Sequence, residues 1–133
     1  MTSVPVELDR FDHFVLTVRN VEETCAFYEK VFGMRRVESG EGRVALHFGR
    51  QKINLHPNPS PIVPKAAVPV PGSADFCVVT EVPPREVLKR LQACSVGIEE
   101  GPVATTGALG EMSSVYFRDP DGNLVEVACY EAG

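Results

Sequence analysis

A segment dense in proline divides the chain into two halves of similar length. Six of the eleven prolines lie between Pro57 and Pro71. Proline lacks a backbone N–H and fixes φ, so this density is incompatible with a central strand or a helix interior. The sequence therefore predicts an extended linker at 57–72 between two structured modules at 10–56 and 73–131.

Both halves have the same predicted order of elements: one strand, one helix and three strands. In the first half, Phe11 to Val18 alternates as a strand, Asn20 can cap a helix, and Gly33 can end that helix. In the second half, a Pro-Pro pair suits the first turn of a helix that Gly97 would end. The repeat predicts a single α+β domain of two βαβββ modules.

Glycine also punctuates the second half. We predict a loop at Gly101 and another at Thr106 to Gly110, the latter as a mobile flap over a pocket between the modules. The last two strands are joined by Asp119-Pro-Asp-Gly122, a composition typical of a type I turn.

Charge and cysteine content limit the classes of partner. A net charge of -5 over 133 residues, with scattered Lys and Arg, argues against nucleic-acid binding. No apolar run approaches the roughly 20 residues of a membrane helix, and the first residues do not resemble a secretion signal. The four cysteines are far apart and are predicted to be small buried side chains. These features indicate a cytoplasmic protein, and the expected place for a small-molecule ligand is a pocket at the seam between the two modules.

The duplication also relates polar residues in the two halves. Alignment of the first strands sets Asp75 opposite His13, and alignment of the last strands sets Asn54 opposite Glu126. One imidazole, two carboxylates and an amide oxygen suit an oxygen-preferring divalent ion. Two other interpretations remain open, a core histidine with a backbone partner for His13 and a solvent-facing carboxylate for Glu126.

Further polar side chains have several possible roles. His56 lies two residues beyond Asn54 on the same strand face, so it could be a ligand in a shifted metal site, a substrate contact or a strand-end histidine. Lys52, Lys65 and Arg118 could meet an anionic substrate or remain solvated.

Three longer stretches resemble a known family. DHFVLTV, AFYEKVFGM and YFRDPDGNLVEV are similar to motifs of the vicinal oxygen chelate superfamily, which includes glyoxalase I, extradiol dioxygenases and bleomycin-binding proteins. The resemblance covers roughly Phe11 to Tyr130. QKINLH, PVPGSADFC, EEGPV and TGALG resemble the branch of glyoxalase domain-containing protein 5 and its bacterial relatives.

The resemblance implies a glyoxalase-like fold, in which the two modules form a cupped mixed sheet, and a homodimer. It also implies a divalent metal ion such as Ni, Mn, Fe, Zn or Mg at the four positions derived above. His13 and Glu126 match the family's ligands directly. Asn54 stands where glyoxalase I usually has a carboxylate, and Asp75 stands where it has a histidine or glutamine.

The function implied is that of a metal-dependent lyase or isomerase, similar to lactoylglutathione lyase, acting on a small substrate chelated through vicinal oxygens. Glu126 and Asp75 are the candidate catalytic residues, because Asn54 cannot accept a proton. One alternative is a metal-free binding or sequestration protein, like the bleomycin-resistance members. A second is a dioxygenase, whose iron site would need a histidine in place of Asp75.

Overall fold

The first half of the chain forms a four-stranded sheet with a helix against one face. The computed structural model describes residues 3–131. The sheet has the order β1-β4-β3-β2, with β1 and β4 parallel and the other neighbours antiparallel. Its elements are β1 (His13–Val18), α1 (Val21–Phe32), β2 (Arg35–Ser39), β3 (Arg43–Phe48) and β4 (Gln51–Pro57).

The second half repeats this topology in the order β5-β8-β7-β6, again with the first and last strands parallel. The predicted α+β fold with two βαβββ modules is therefore confirmed. The elements are β5 (Asp75–Val79), α2 (Pro84–Ala93), β6 (Ile98–Gly107), β7 (Gly110–Arg118) and β8 (Leu124–Tyr130).

The ends of α1 follow the local sequence, whereas the end of α2 does not. Asn20 Oδ1 accepts a hydrogen bond from the Glu23 N–H at 2.9 Å, and Gly33 adopts a left-handed φ of 67°. Gly97 was wrongly predicted to end α2. The helix ends at Ala93, and Ser95 is the residue with a left-handed φ, 59°. Serine tolerates a left-handed conformation less well than glycine does, so the sequence pointed to the nearby glycine and not to Ser95.

Both loops predicted in the second half lie within or beside a long hairpin. Gly101 belongs to β6, at an irregularity in its register with β7. A Cβ at Gly101 would lie 2.5 Å from the Ser114 carbonyl oxygen, so glycine allows the two strands to approach there. The loop predicted at Thr106 to Gly110 is a tight turn at residues 108–109, because β6 extends to Gly107 and β7 begins at Gly110; its role as a mobile flap stays a prediction.

Helix α1 packs against both sheets and joins the two cores. Its inner side supplies the buried Tyr28 to the first cluster, together with strand residues such as Leu16 and Ile53. Val31 belongs to a second cluster with Leu91 of α2 and with strand residues of the second sheet. The apolar stripe of one helix therefore covers surface in both halves.

A buried carboxylate ties α1 to the turn between β7 and β8. Asp119 accepts hydrogen bonds from the Tyr28 hydroxyl and the Asn123 side-chain amide, both at 2.8 Å. It also accepts from the backbone N–H groups of Asp121 and Asn123, both at 3.0 Å. The Gly122 N–H bonds to the Asp119 carbonyl at 3.0 Å, as expected for the predicted turn.

The prediction that all four cysteines are buried was only partly right. Cys25 and Cys94 are buried, Cys129 is half-buried and Cys77 is exposed. Cys77 is exposed because it lies on the face of β5 that points away from the helices. Within residues 3–131, no helix has the length and apolar character that a membrane span requires.

Candidate functional site

The four polar residues related by the duplication occupy equivalent places on the two sheets. On the parallel pair β1 and β4, His13 lies opposite Lys52, so Asn54 is two residues further along. On the parallel pair β5 and β8, Asp75 lies opposite Leu124, so Glu126 is likewise two residues further along. Each pair is therefore a diagonal pair of neighbours on the outward face of its sheet, away from the helices.

One chain does not bring these four side chains into one cluster. Across the described residues, no group of three His, Cys, Asp or Glu side chains lies close enough to hold a metal ion. Phe14 and Phe76 meet on the helix side with ring centroids 4.9 Å apart. Because side chains alternate across a strand, the preceding residues His13 and Asp75 point to the opposite side, where both are exposed.

His13 and Glu126 have different surroundings. The His13 Nδ1 atom lies 2.8 Å from an Asp12 carboxylate oxygen, which orients the ring and leaves Nε2 for another partner. Glu126 is half-buried, and its Oε2 accepts a hydrogen bond of 2.6 Å from the Ser114 hydroxyl. The Thr105 hydroxyl lies 2.6 Å from the same Ser114 oxygen. Ser114 is completely buried, so this relay of Thr105, Ser114 and Glu126 holds the Glu126 carboxylate from its buried side.

Cys77 and Tyr116 flank Glu126 on the neighbouring strands. Each lies directly opposite Glu126 in the register of its strand pair. Although Cys77 is exposed as a residue, the protein atoms around its Sγ reduce the hydration of the thiolate, and this desolvation, followed by the negative charge of Glu126, raises the pKa of the thiol to about 11. The same two causes raise the pKa of Tyr116. Both groups are therefore protonated at neutral pH and can act as hydrogen-bond donors beside the carboxylate.

Sequence reasoning missed the four side chains around Glu126. The Asp119 to Gly122 turn could have revealed residues on β7, because it fixes the pairing of β7 with β8. Counting back from that turn sets Tyr116 opposite Glu126. The four missed residues are Cys77, Thr105, Ser114 and Tyr116.

The other predicted contacts differ in how accessible they are. His56 is only 9% exposed, and burial, with smaller contributions from Arg43 and Lys65, lowers its pKa. Arg118 makes an ion pair with Glu99 at 2.8 Å, which occupies its guanidinium. Lys52 lies on the outward face in the row that contains His13.

Comparisons with known proteins place the chain in a family. Virulence protein STM3117 of Salmonella typhimurium is 48% identical over 128 residues, covering 96% of this chain and 89% of the relative. Its crystal structure superposes with a TM-score of 0.92, covering 95% of this chain and 100% of that chain. Glyoxalase domain-containing protein RDO1 of Mycosarcoma maydis is 46% identical over 120 residues, covering 90% of this chain and 68% of the relative.

More distant structures share the fold. Lactoylglutathione lyase from Agrobacterium tumefaciens is 28% identical with a TM-score of 0.70, covering 92% of this chain and 94% of that chain. TnmS3, an antibiotic binding protein from Streptomyces, is 19% identical with a TM-score of 0.73, covering 96% and 100%. The sequence model of one family matches residues 10–127. The chain belongs to the Glyoxalase/Bleomycin resistance protein/Dioxygenase superfamily.

Proposed function

We propose that this protein is a metal-dependent enzyme of the lyase or isomerase type, acting on a small substrate that presents two adjacent oxygens. The observation that carries the proposal is the equivalent diagonal placement of His13 with Asn54 and of Asp75 with Glu126. Two copies of one module thus offer two matched pairs of donors on their outward faces.

The donor set fits a divalent ion. One imidazole nitrogen, two carboxylates and one amide oxygen are ligands of the kind that Mg²⁺, Mn²⁺, Zn²⁺ or Ni²⁺ accept. The imidazole of His13 is oriented by Asp12, and the carboxylate of Glu126 is oriented by Ser114. When bound, a divalent ion would polarise the substrate oxygens and stabilise negative charge that develops there.

Proton transfer in this proposal belongs to the carboxylates of the second sheet. Asn54 has no basic lone pair suited to the task, so Glu126 or Asp75 would accept the proton from substrate. The Ser114 hydrogen bond occupies Glu126 Oε2 and directs the carboxylate toward the outward face. Tyr116, whose phenol is protonated, lies beside it as a donor for an oxygen of the substrate.

A second copy of the chain would complete the site in this proposal. The donor pairs do not form a cluster of three within the described part of one chain, and His13 and Asp75 are both exposed. A two-fold arrangement could set the first sheet of one protomer against the second sheet of its partner, which would give two equivalent sites per dimer. Exposed valines on the same faces, Val15 and Val79, would then be covered.

A metal-free binding protein is the second candidate. The same absence of a three-ligand cluster among residues 3–131 favours it, as does the presence of apolar side chains on the outward faces. TnmS3, which shares the fold, is described as an antibiotic binding protein. In that case the outward faces would hold a ligand by shape, and the polar residues would serve as hydrogen-bond partners.

Metal content distinguishes the two candidates. Wild-type protein is stripped with a chelator, reloaded separately with Ni, Mn, Fe, Zn and Mg, and analysed for bound metal after desalting. Under the enzyme proposal, at least one metal binds with a stoichiometry near one per chain. Glu126→Gln and His13→Ala should each lower that stoichiometry severalfold, because each removes a ligand.

Glu81→Gln and His47→Ala are the matched controls, since Glu81 is an exposed loop residue and His47 lies on the same sheet as His13 without belonging to the four positions. Both controls should retain wild-type metal content. Failure of the wild type to retain any of the five metals would overturn the enzyme proposal in favour of the binding protein.

A further inference from the structure

A small polar cavity lies on the outward face of the first sheet, beside Asn54. Its volume is about 140 Å³, and it is lined on one side by Lys52, Asn54 and His56. These three residues alternate along β4 and therefore share a face. Arg43 of β3 and Ile62 of the linker close the other sides.

The cavity has a positive lining. Arg43 and Lys52 come from adjacent antiparallel strands, and no Asp or Glu belongs to the lining. In the described part of the chain, neither cation forms an ion pair, whereas Arg36 and Arg118 are both paired with glutamates. Lys52 interacts electrostatically with the Asp12 carboxylate, which lies outside the cavity and is already hydrogen-bonded to His13.

His56 is buried and lines the cavity beside these two cations. Lys65 lines a neighbouring cavity instead, and its Nζ donates a hydrogen bond of 2.8 Å to the Ser60 carbonyl. Two cations, Arg43 and Lys52, thus line one concave spot of a chain whose net charge is -5.

We infer that this cavity is an anion subsite for an oxyanion group, a phosphate or a carboxylate, carried by a small ligand. A guanidinium and an ammonium on adjacent strands can share the oxygens of such a group in charge-assisted hydrogen bonds. The cavity is smaller than the roughly 300–1,000 Å³ of a whole-ligand pocket, so it suits one functional group.

The subsite also specifies the class of substrate, an extension that rests on the proposed function. Asn54 belongs both to the cavity and to the four proposed metal positions. The oxyanion would therefore bind next to the metal, and the substrate would carry a negatively charged group close to its two chelating oxygens.

Binding of inorganic phosphate to the metal-free protein tests the subsite. The titration is followed by isothermal calorimetry and by NMR at constant ionic strength, with malonate as the carboxylate probe and chloride as the non-specific anion. We expect saturable binding of phosphate or malonate at one per chain, and no saturation with chloride. The stronger of the two probes identifies the source of the oxyanion.

Arg43→Gln and Lys52→Gln should each weaken that binding by about tenfold or more, since each removes a charged hydrogen-bond donor. Arg50→Gln is the matched control, because Arg50 is an exposed cation in the turn just before β4 and its loss changes the net charge equally. Thermal unfolding checks that all three variants are folded.

Two results would overturn the inference: no saturable binding of either oxyanion to the wild type, or equal weakening by Arg50→Gln. The test is separate from the metal experiment. Oxyanion binding by a protein that retains no metal would support the subsite and refute the proposed enzyme. Metal retention without oxyanion binding would refute the subsite and leave the proposed enzyme standing.

Discussion

The Glu126 carboxylate is oriented by a hydroxyl that no solvent reaches. Ser114→Ala removes the 2.6 Å hydrogen bond and leaves the Thr105 hydroxyl without this partner. We expect metal affinity to fall about 10–100-fold, as is typical when a group that orients a ligand is lost. Calorimetric titration with the metal that the wild type binds best provides the measurement.

Ser113→Ala controls for the loss of a serine from the same strand, because Ser113 points to the opposite face of β7. Its metal affinity should match that of the wild type. If Ser114→Ala also binds metal as the wild type does, the relay has no role in positioning Glu126.

Tyr28 makes stability depend on alkaline pH. Burial, followed by the charge of Asp119, raises the pKa of this phenol in the folded state. Above pH about 10 the unfolded chain loses the proton while the folded chain retains it, so stability falls by up to about 1.4 kcal/mol per pH unit from this residue. Urea denaturation between pH 9 and 11 measures the slope.

Tyr28→Phe removes both the proton and one donor to Asp119. At pH 9 the variant should be less stable by about 1–3 kcal/mol, and the difference should narrow above pH 10. A constant difference across this range would show that Tyr28 ionises equally in both states.

At the scale of residues, the sequence revealed which candidate ligands occupy equivalent positions in the two modules but not which side chains surround them. The repeat alone related His13 to Asp75 and Asn54 to Glu126, and the two strand registers agree with those relations. It did not reveal Ser114, because a serine in a strand has no pattern that distinguishes a buried relay from a solvated hydroxyl. Whether the four residues bind metal stays a prediction.

Two residues beyond the end of α2 lies a residue poorly suited to its backbone conformation. Ser95 has a φ of 59°, whereas Gly97 does not adopt a left-handed conformation. Ser95→Gly should therefore stabilise the protein by about 0.5–1 kcal/mol, since a side chain in this region costs roughly 1–2 kcal/mol and glycine loses more entropy on folding.

Gly97→Ala is the companion variant. A Cβ at residue 97 would meet nothing within 4 Å, so stability should be unchanged or slightly higher. Chemical denaturation of both variants measures the changes. Destabilisation by Gly97→Ala would instead indicate that the end of α2 requires glycine at position 97.

Elements were predictable where the signal is local. Asn20 and Gly33 set the two ends of α1 through hydrogen bonds to residues a few positions away, so the local sequence is sufficient to predict those ends. Gly101 and its proline suggested a loop, yet they lie within β6 at a register irregularity where Ser114 of β7 approaches closely. That approach is a tertiary contact, and no local pattern encodes it.

At the scale of the whole molecule, the proposed second copy predicts complementation between variants. His13→Ala changes only the first sheet, and Glu126→Ala changes only the second. If each site combines sheets from two protomers, unfolding and refolding a 1:1 mixture should leave about a quarter of the sites with all four residues intact. Elemental analysis of the refolded mixture should then recover about a quarter of the wild-type metal.

Each variant refolded alone is the control and should contain little metal. A mixture that also contains little metal would mean that His13 and Glu126 serve the same site from one chain. Size-exclusion chromatography before and after refolding confirms that protomers have exchanged.

The contact between Tyr28 and Asp119 spans 91 residues of sequence. During synthesis at about 5–20 residues per second, the Tyr28 hydroxyl would emerge from the ribosome roughly 5–20 seconds before its partner. For much of that interval α1 also lacks Leu91 and the second sheet against which Val31 packs. The nascent first half therefore exposes an apolar helix face, which a chaperone could recognise until the second half has emerged.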